Sequence, residues 1–208
     1  MTNSEQLMQV LRTYVTQYPQ TDMAQPAVFA GYLAFIHDVI IASEHILEAA
    51  SERSSGELQR FFSEHLEEEH GHAEWLEEDL ASAGIDLAAR LVVTEAVAMA
   101  GSQYYLIRHI DPAAVLGYMA VLECFPMSKE QVEKLEEIHG QKLCRTLRYH
   151  ATHDVQHGAD VLKMIDALPS EQLGIVIQNA VQTALYFISA ASKFAQRGDE
   201  KLATLSLH

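Results

Sequence analysis

The sequence predicts an all-α protein, a bundle of seven helices around an internal metal site. Three observations carry that prediction. No segment alternates polar and apolar residues with period two for long enough to form a strand. The five prolines and ten glycines fall mostly at junctions between periodic runs instead of inside them. Two triads, His65–Glu69–His72 and His150–Asp154–His157, hold two imidazoles and a carboxylate at offsets of four and seven residues. On an α-helix those offsets lie within about 60° of one face.

The elements follow in order. A lead helix at 5–17 ends before Pro19. Pro26 opens a second helix, 27–50, with apolar positions at Phe29, Leu33, Phe35, Ile36, Ile40 and Leu47; Ser54-Ser55-Gly56 breaks it. The third, 57–83, closes on Gly84 as a C-terminal cap. The fourth begins at or just after Asp86 and runs to about 110. Asp111-Pro112 starts the fifth, because Asp accepts from first-turn amides and Pro leaves no amide orphaned; it ends near Pro126. Ser128-Lys129-Glu130-Gln131 is a capping box that opens the sixth, which Gly140 bends or splits before the second triad and which ends before Pro169. Ser170 caps the seventh, to about 196. Without a linker or low-complexity tract, 1–208 reads as a single helical domain with its core at about 27–195.

Composition narrows the function. A chain of 208 residues is one domain by default, and 49% apolar residues suffice for a core. A net charge of −15 excludes nucleic acid and anionic membrane surfaces as partners. An anionic substrate would then be held only by a local feature such as a metal. The two cysteines, Cys124 and Cys144, show no framework spacing, which fits a reduced compartment. The polar N-terminus lacks the pattern of a signal peptide, so a cytoplasmic location is expected. The apolar stretch 173–194 is interrupted by Gln178, Asn179, Gln182 and Thr183, as in a buried amphipathic helix and unlike a membrane span. A homodimer is expected from the apolar helices.

Imidazole and carboxylate ligands without thiolate suit Fe, Mn or Zn. Carboxylates are needed where two metals share a site, since they bridge and offset four positive charges. Glu123 lies in the otherwise apolar run 117–126, where a lone carboxylate is unfavourable to bury without a partner; it is a bridging candidate. Glu69, within Glu67-Glu68-Glu69, could instead belong to a solvated face. Against that stands the clustering of histidines: six of the eleven fall in two groups. His70 and His153 lie beside the proposed faces, not on them. Ligand type alone does not count metals, so a mononuclear Fe, Mn or Zn site stays open.

The order Glu69-xx-His72, then Glu123, then His150-xxx-Asp154-xx-His157 resembles the haem-oxygenase-like di-iron oxidases and oxygenases. The run 67–86 is similar to that family's second core helix, including its glycine exit, and 111–123 to its middle helix; the resemblance covers roughly 27–195. It implies a haem-oxygenase-like fold with Glu69, His72, Glu123, His150, Asp154 and His157 as metal ligands. It also implies two Fe(II) per chain, O2 as co-substrate, and a small amine, amino acid or carboxylic acid as substrate. Expected outcomes are N-oxygenation, desaturation, decarboxylation or C–C cleavage. His65 stands where some members carry Glu and is a further candidate ligand. Tyr104, Tyr105 and Arg108 precede the middle helix and are candidate substrate contacts.

The same scaffold hosts other chemistry. A haem oxygenase would take His37 or His45 as its axial ligand, and a thiaminase-like hydrolase would take Cys124 or Cys144 as its nucleophile. A quinone-forming oxidase needs no metal. Each of these leaves the second triad unexplained. A helical module that stores or senses a metal without turnover is the remaining alternative.

Overall fold

A computed structural model describes residues 1–88 and 90–197. Among them are nine α-helical segments, eight if the pair around Gly71 is taken as one kinked helix, together with two short 3-10 turns and no strand. The expected count of seven is corrected for two reasons. The expected 57–83 helix is broken in the middle, and Gly140 does split the sixth.

The helix α1 (Asn3–Val15) is opened by a Thr2–Glu5 capping box, and its Leu7 and Leu11 are fully buried. It therefore belongs to the core, which extends N-terminal of residue 27. α2 (Pro26–Arg53) is the long central helix, with Pro at its first position. α3 (Gly56–Glu69) and α4 (His72–Ser82) are separated at His70–Gly71, where Gly71 takes φ 88°. Only glycine adopts that left-handed conformation without a Cβ penalty. The segment after Gly84 is not helical; α5 starts at Thr94 and runs to His109. That strap is tied down by Arg90, which donates to Asp38 (Nη1 to Oδ2, 2.8 Å), and by the Val93 amide, which donates to the same carboxylate (2.8 Å).

After a 3-10 turn at Pro112–Ala114, capped by Asp111, comes α6 (Val115–Glu123), which is buried along most of its length. α7 (Lys129–His139) is opened by the expected Ser128 capping box. α8 (Arg145–Ala167) carries the second triad. A 3-10 turn at Ser170–Gln172 leads into α9 (Leu173–Arg197), so Ser170 starts the turn and does not cap the helix.

α6 packs against α8 and α9, while α2 packs against α3, α4 and α5. Two glycines permit the first set of contacts. A Cβ on Gly117 would collide with the Val176 carbonyl on α9, and one on Gly158 would lie 2.7 Å from the Glu123 carbonyl oxygen. Pro26–Arg53 and Ser170–Phe194 are long and apolar enough to cross a membrane, yet both pack as core helices with buried polar groups: His37 and Asp38 on the first, Asn179 and Thr183 on the second.

Candidate metal centre

The break at Gly71 reshapes the first triad. On one uninterrupted helix His65, Glu69 and His72 would share a face. Ending α3 at Glu69 and restarting α4 at His72 divides them between two groups. His65, Glu123 and His157 offer ligand atoms within 4.8 Å of one another, and so do Glu69, His72 and His150. The first group joins α3, α6 and α8, and the second joins α3, α4 and α8.

Glu69 lies between the groups. Its Oε2 is 3.1 Å from His72 Nδ1 and its Oε1 is 3.7 Å from His157 Nδ1. Glu123 pairs with one group only, through His65 Nε2 at 2.9 Å. The carboxylate spanning the two groups is thus Glu69, where Glu123 was expected. His65 is 6% exposed and sits inside the cluster. Asp154 lies outside both groups; it takes the His150 Nδ1 position at 2.9 Å and its carboxylate lines the adjoining cavity. His70 is exposed and pairs with Glu44, and His153 bonds the Tyr149 carbonyl.

The electrostatics are those of a site crowded with ionisable groups. Burial pushes the Glu123 carboxyl up, and the His65 hydrogen bond only partly opposes it. Burial would also raise Glu69, but the His72 hydrogen bond and the neighbouring imidazoles bring it below the ordinary value. Burial would lower His65 and His150. Their hydrogen bonds to Glu123 and Asp154, with the other carboxylates nearby, reverse that and hold both above the usual histidine range.

Three buried atoms here have no hydrogen-bond partner among the described residues: Glu123 Oε2, His150 Nε2 and His157 Nδ1. Buried polar atoms are rarely left so. All three are lone-pair donors on residues of the two groups, and His150 is oriented by Asp154 through its other nitrogen. A ring nitrogen held by a carboxylate, with the opposite nitrogen free, is the usual posture of a metal-binding histidine. The donor set, four imidazoles with Glu69, Glu123 and Asp154, fits iron, manganese or zinc.

A cavity of about 580 Å³ adjoins this cluster. His65, Glu69, Glu123, His150 and Asp154 form part of its wall. Most of the remainder is apolar or aromatic: Ile36, Val39, Ile40 and Leu47 from α2, Met119 and Leu122 from α6, Phe187 and Ile188 from α9. Tyr14, Tyr18, Thr21 and Met23, from α1 and the segment after it, also line it, as does Tyr32. Tyr118 turns its hydroxyl to Ser43 Oγ at 2.6 Å.

These tyrosines were not found from sequence. The single available signal was the aromatic content of the first thirty-two residues. Gly158, an isolated glycine inside a helix and next to His157, was a stronger signal for a close backbone approach.

The expected substrate contacts lie away from this cavity. Gln103, Leu106 and Ile107 form the buried face of α5, which turns Tyr105 and Arg108 outward; the Arg108 guanidinium lies over the Tyr104 ring at 5.6 Å. None of the three lines the cavity. The residues offered for other chemistries also lie elsewhere. His37 is engaged by Glu77 at 3.0 Å and His45 is exposed. Burial pushes the Cys124 thiol up to about 12 and the Cys144 thiol up to about 11, and neither lines the cavity.

The fold defines the class first. The structure is similar to a domain with a haem-oxygenase-like fold from Shewanella denitrificans (TM-score 0.78, 14% identity, covering 93% of this chain and 90% of that one). It is also similar to a TenA homolog from Pseudomonas syringae pv. tomato (TM-score 0.70, 14% identity, 92% of each chain). Residues 28–190 match the family of iron-containing redox enzymes, and the chain belongs to that family. No curated protein matches it significantly.

Proposed function

We propose that this protein is a non-haem di-iron oxidase or oxygenase that uses O2 to oxidise a small amine, amino acid or carboxylic acid. The observation that carries this reading is the pair of three-residue ligand groups around Glu69, with unpartnered buried atoms on Glu123, His150 and His157. His65, Glu123 and His157 would hold one ion, and Glu69, His72 and His150 the other. Glu69 would be shared, and Asp154 would bind directly or orient His150. Iron bound there supplies the one-electron chemistry that lets O2 react.

The chain's own residues supply the rest. Met119 and Leu122 on α6 and Phe187 on α9 exclude water beside the cluster and lower its dielectric. Tyr32 keeps its proton, because burial and then the Tyr18 and Asp154 charges raise its pKa. It can therefore donate a hydrogen bond within the cavity. The cavity also separates this reading from a storage or sensing module, which needs no enclosed space for a substrate. The TenA-like fold admits a thiaminase-like reading, but that needs a thiolate facing the cavity, and both cysteines are protonated and outside it. A cytoplasmic setting, a small-molecule substrate and a homodimer accompany the proposal.

The test is an anaerobic Fe(II) titration followed by exposure to O2. Binding near two irons per chain, a transient visible absorbance and O2 uptake on substrate addition are expected. Saturation at one iron, or turnover that survives chelation, would overturn it.

A further inference from the structure

Glu69 is buried between the two ligand groups, but its neighbour Glu68 faces solvent, with a side chain 59% exposed. Glu68 nevertheless reaches two of the ligand histidines. Its Oε2 lies 3.5 Å from His157 Nε2 and 3.9 Å from His65 Nδ1. Both histidines belong to the same group, and both turn their other nitrogen inward: His65 Nε2 to Glu123 Oε1 at 2.9 Å, His157 Nδ1 towards Glu69 Oε1 at 3.7 Å. The third member, Glu123, keeps its buried Oε2 without a hydrogen-bond partner among the described residues. One exposed carboxylate oxygen thus stands at the outer edge of a group whose inner donors are unpaired.

That outer edge is not on the cavity. His65, Glu69, Glu123, His150 and Asp154 line the cavity, whereas His157 and Glu68 do not. The His157 side chain is 15% exposed, so part of it meets solvent by another way. The two approaches differ in chemistry. A divalent cation arrives with a tightly held water shell, and Ile36, Leu47, Met119, Leu122 and Phe187 on the cavity wall offer nothing to replace it. A solvated carboxylate suits a hydrated divalent ion, and an exposed pairing is weak enough to be given up again. Glu64, one turn before Glu68 on α3, and Asp160, one turn after His157 on α8, are exposed too. Charge of one sign raises the local concentration of a counter-ion.

We propose that divalent metal reaches the centre through Glu68, from the solvent face of α3 and α8, and that the cavity is left to the substrate. Glu68 takes the hydrated ion at the surface and releases it to the His65–Glu123–His157 group. It is a capture residue and not a resident ligand. This rests on the metal-binding reading of the two groups given above.

Stopped-flow mixing of the metal-free full chain with Co(II) tests it, since bound Co(II) absorbs in the visible. Trp75 gives a second signal: it is the only tryptophan in the chain, and its ring centroid is 4.6 Å from that of His72. Glu68→Gln should fill about fivefold more slowly than the parent, the scale of one close charge in water. Release to a chelator should slow by the same factor, because a route serves both directions and leaves the equilibrium alone. The number of ions at saturation should match the parent. Glu67→Gln removes the same charge from the side of α3 opposite His65 and Glu69, and its rates should stay within about twofold of the parent. Parental rates in Glu68→Gln, or equal slowing in Glu67→Gln, would overturn the proposal. So would loss of an ion at saturation in Glu68→Gln, which would make Glu68 a resident ligand. If the parent takes up no Co(II), the metal-binding reading itself fails and the route with it; if the parent fills and Glu68→Gln is indifferent, only the route fails.

Discussion

Each imidazole of the cluster has a defined posture, and that makes the ligands separable by mutation. His157 presents Nδ1 to Glu69 and Nε2 to Glu68, at 3.7 and 3.5 Å. His157→Ala should remove one of the two ions and abolish activity while leaving helicity near that of the parent, measured by metal analysis and circular dichroism. Asp154→Ala acts on His150, whose ring it fixes, and should weaken metal binding about 10- to 100-fold, the usual effect of losing a carboxylate behind a metal-bound histidine. It should also abolish turnover. Full activity in either variant would sink the di-iron model. At this scale the second triad was legible in the sequence, because α8 is continuous through it and helical periodicity alone sets the three side chains on one face. The partnership of His65 with Glu123 was not legible, since it joins two helices whose crossing is decided by packing.

Between elements, two contacts set the separation of the ligand-bearing helices. Gly158 lets α8 approach the end of α6 where Glu123 sits. Gly158→Ala would push a methyl group against the Glu123 carbonyl, and overpacking of this kind typically costs about 1–3 kcal/mol. We expect a lower melting temperature together with weakened binding of one metal, because Glu123 moves away from His157. Asp79, on the same face of α4 as His72, accepts from the Thr146 amide and hydroxyl at 2.8 and 2.7 Å and from Arg145 Nε at 2.8 Å. It thereby caps α8 from a neighbouring helix. Asp79→Ala should destabilise the fold by about 2 kcal/mol, near the upper end for a lost cap; Asp79→Asn, which keeps an acceptor oxygen, should lose less. Denaturant melts of the two variants check this, and equal losses would argue against a capping role. The helix 57–83 was expected to be continuous because its propensity is unbroken apart from one glycine. The left-handed turn at Gly71 is a tertiary choice: it bends the chain between the two groups, with its amide donating to Glu44 on α2 at 3.3 Å.

For the molecule as a whole, ligand binding and pH are the levers on stability. A metal that binds the folded state alone stabilises it by about 2.7 kcal/mol at one hundred times its dissociation constant. For a chain of this size that is a rise of roughly 5–10 °C in melting temperature. Adding Zn(II) or Mn(II) should produce such a shift and a chelator should reverse it; an unchanged melting temperature would count against the site. Acid acts through Asp38. Burial alone would raise its carboxyl, but the nearby His37 imidazole, hydrogen bonds from Arg90 and the Val93 amide, and the Arg90 charge hold it below the ordinary carboxylate value. The unfolded chain therefore binds more protons than the folded one near the ordinary carboxylate pKa. The stabilisation is complete above that pKa and is lost as pH falls through it and then through the folded value. Asp38→Asn should cost roughly 3 kcal/mol at neutral pH, as breaking a largely buried ion pair does. The gap between parent and variant should narrow as pH falls below about 4, the ordinary carboxylate value, followed by thermal melts; a gap that stays constant would refute the linkage.

By itself, the sequence determined the all-helical class, most of the helix starts, and the side chains able to bind a metal. These depend on local periodicity, capping chemistry and residue type, all of which act over a few residues. Only the tertiary structure decided the division of His65 and five of the six expected ligands into two groups with Asp154 outside both, the position of Glu69 between those groups, and the exclusion of Tyr104, Tyr105 and Arg108 from the cavity. It also brought Tyr14 of α1, and Tyr18 just after it, to the cavity beside the cluster. Those outcomes depend on which helix faces meet and on how closely glycines let them approach. The packing of distant segments sets both, and no short stretch of the chain encodes either.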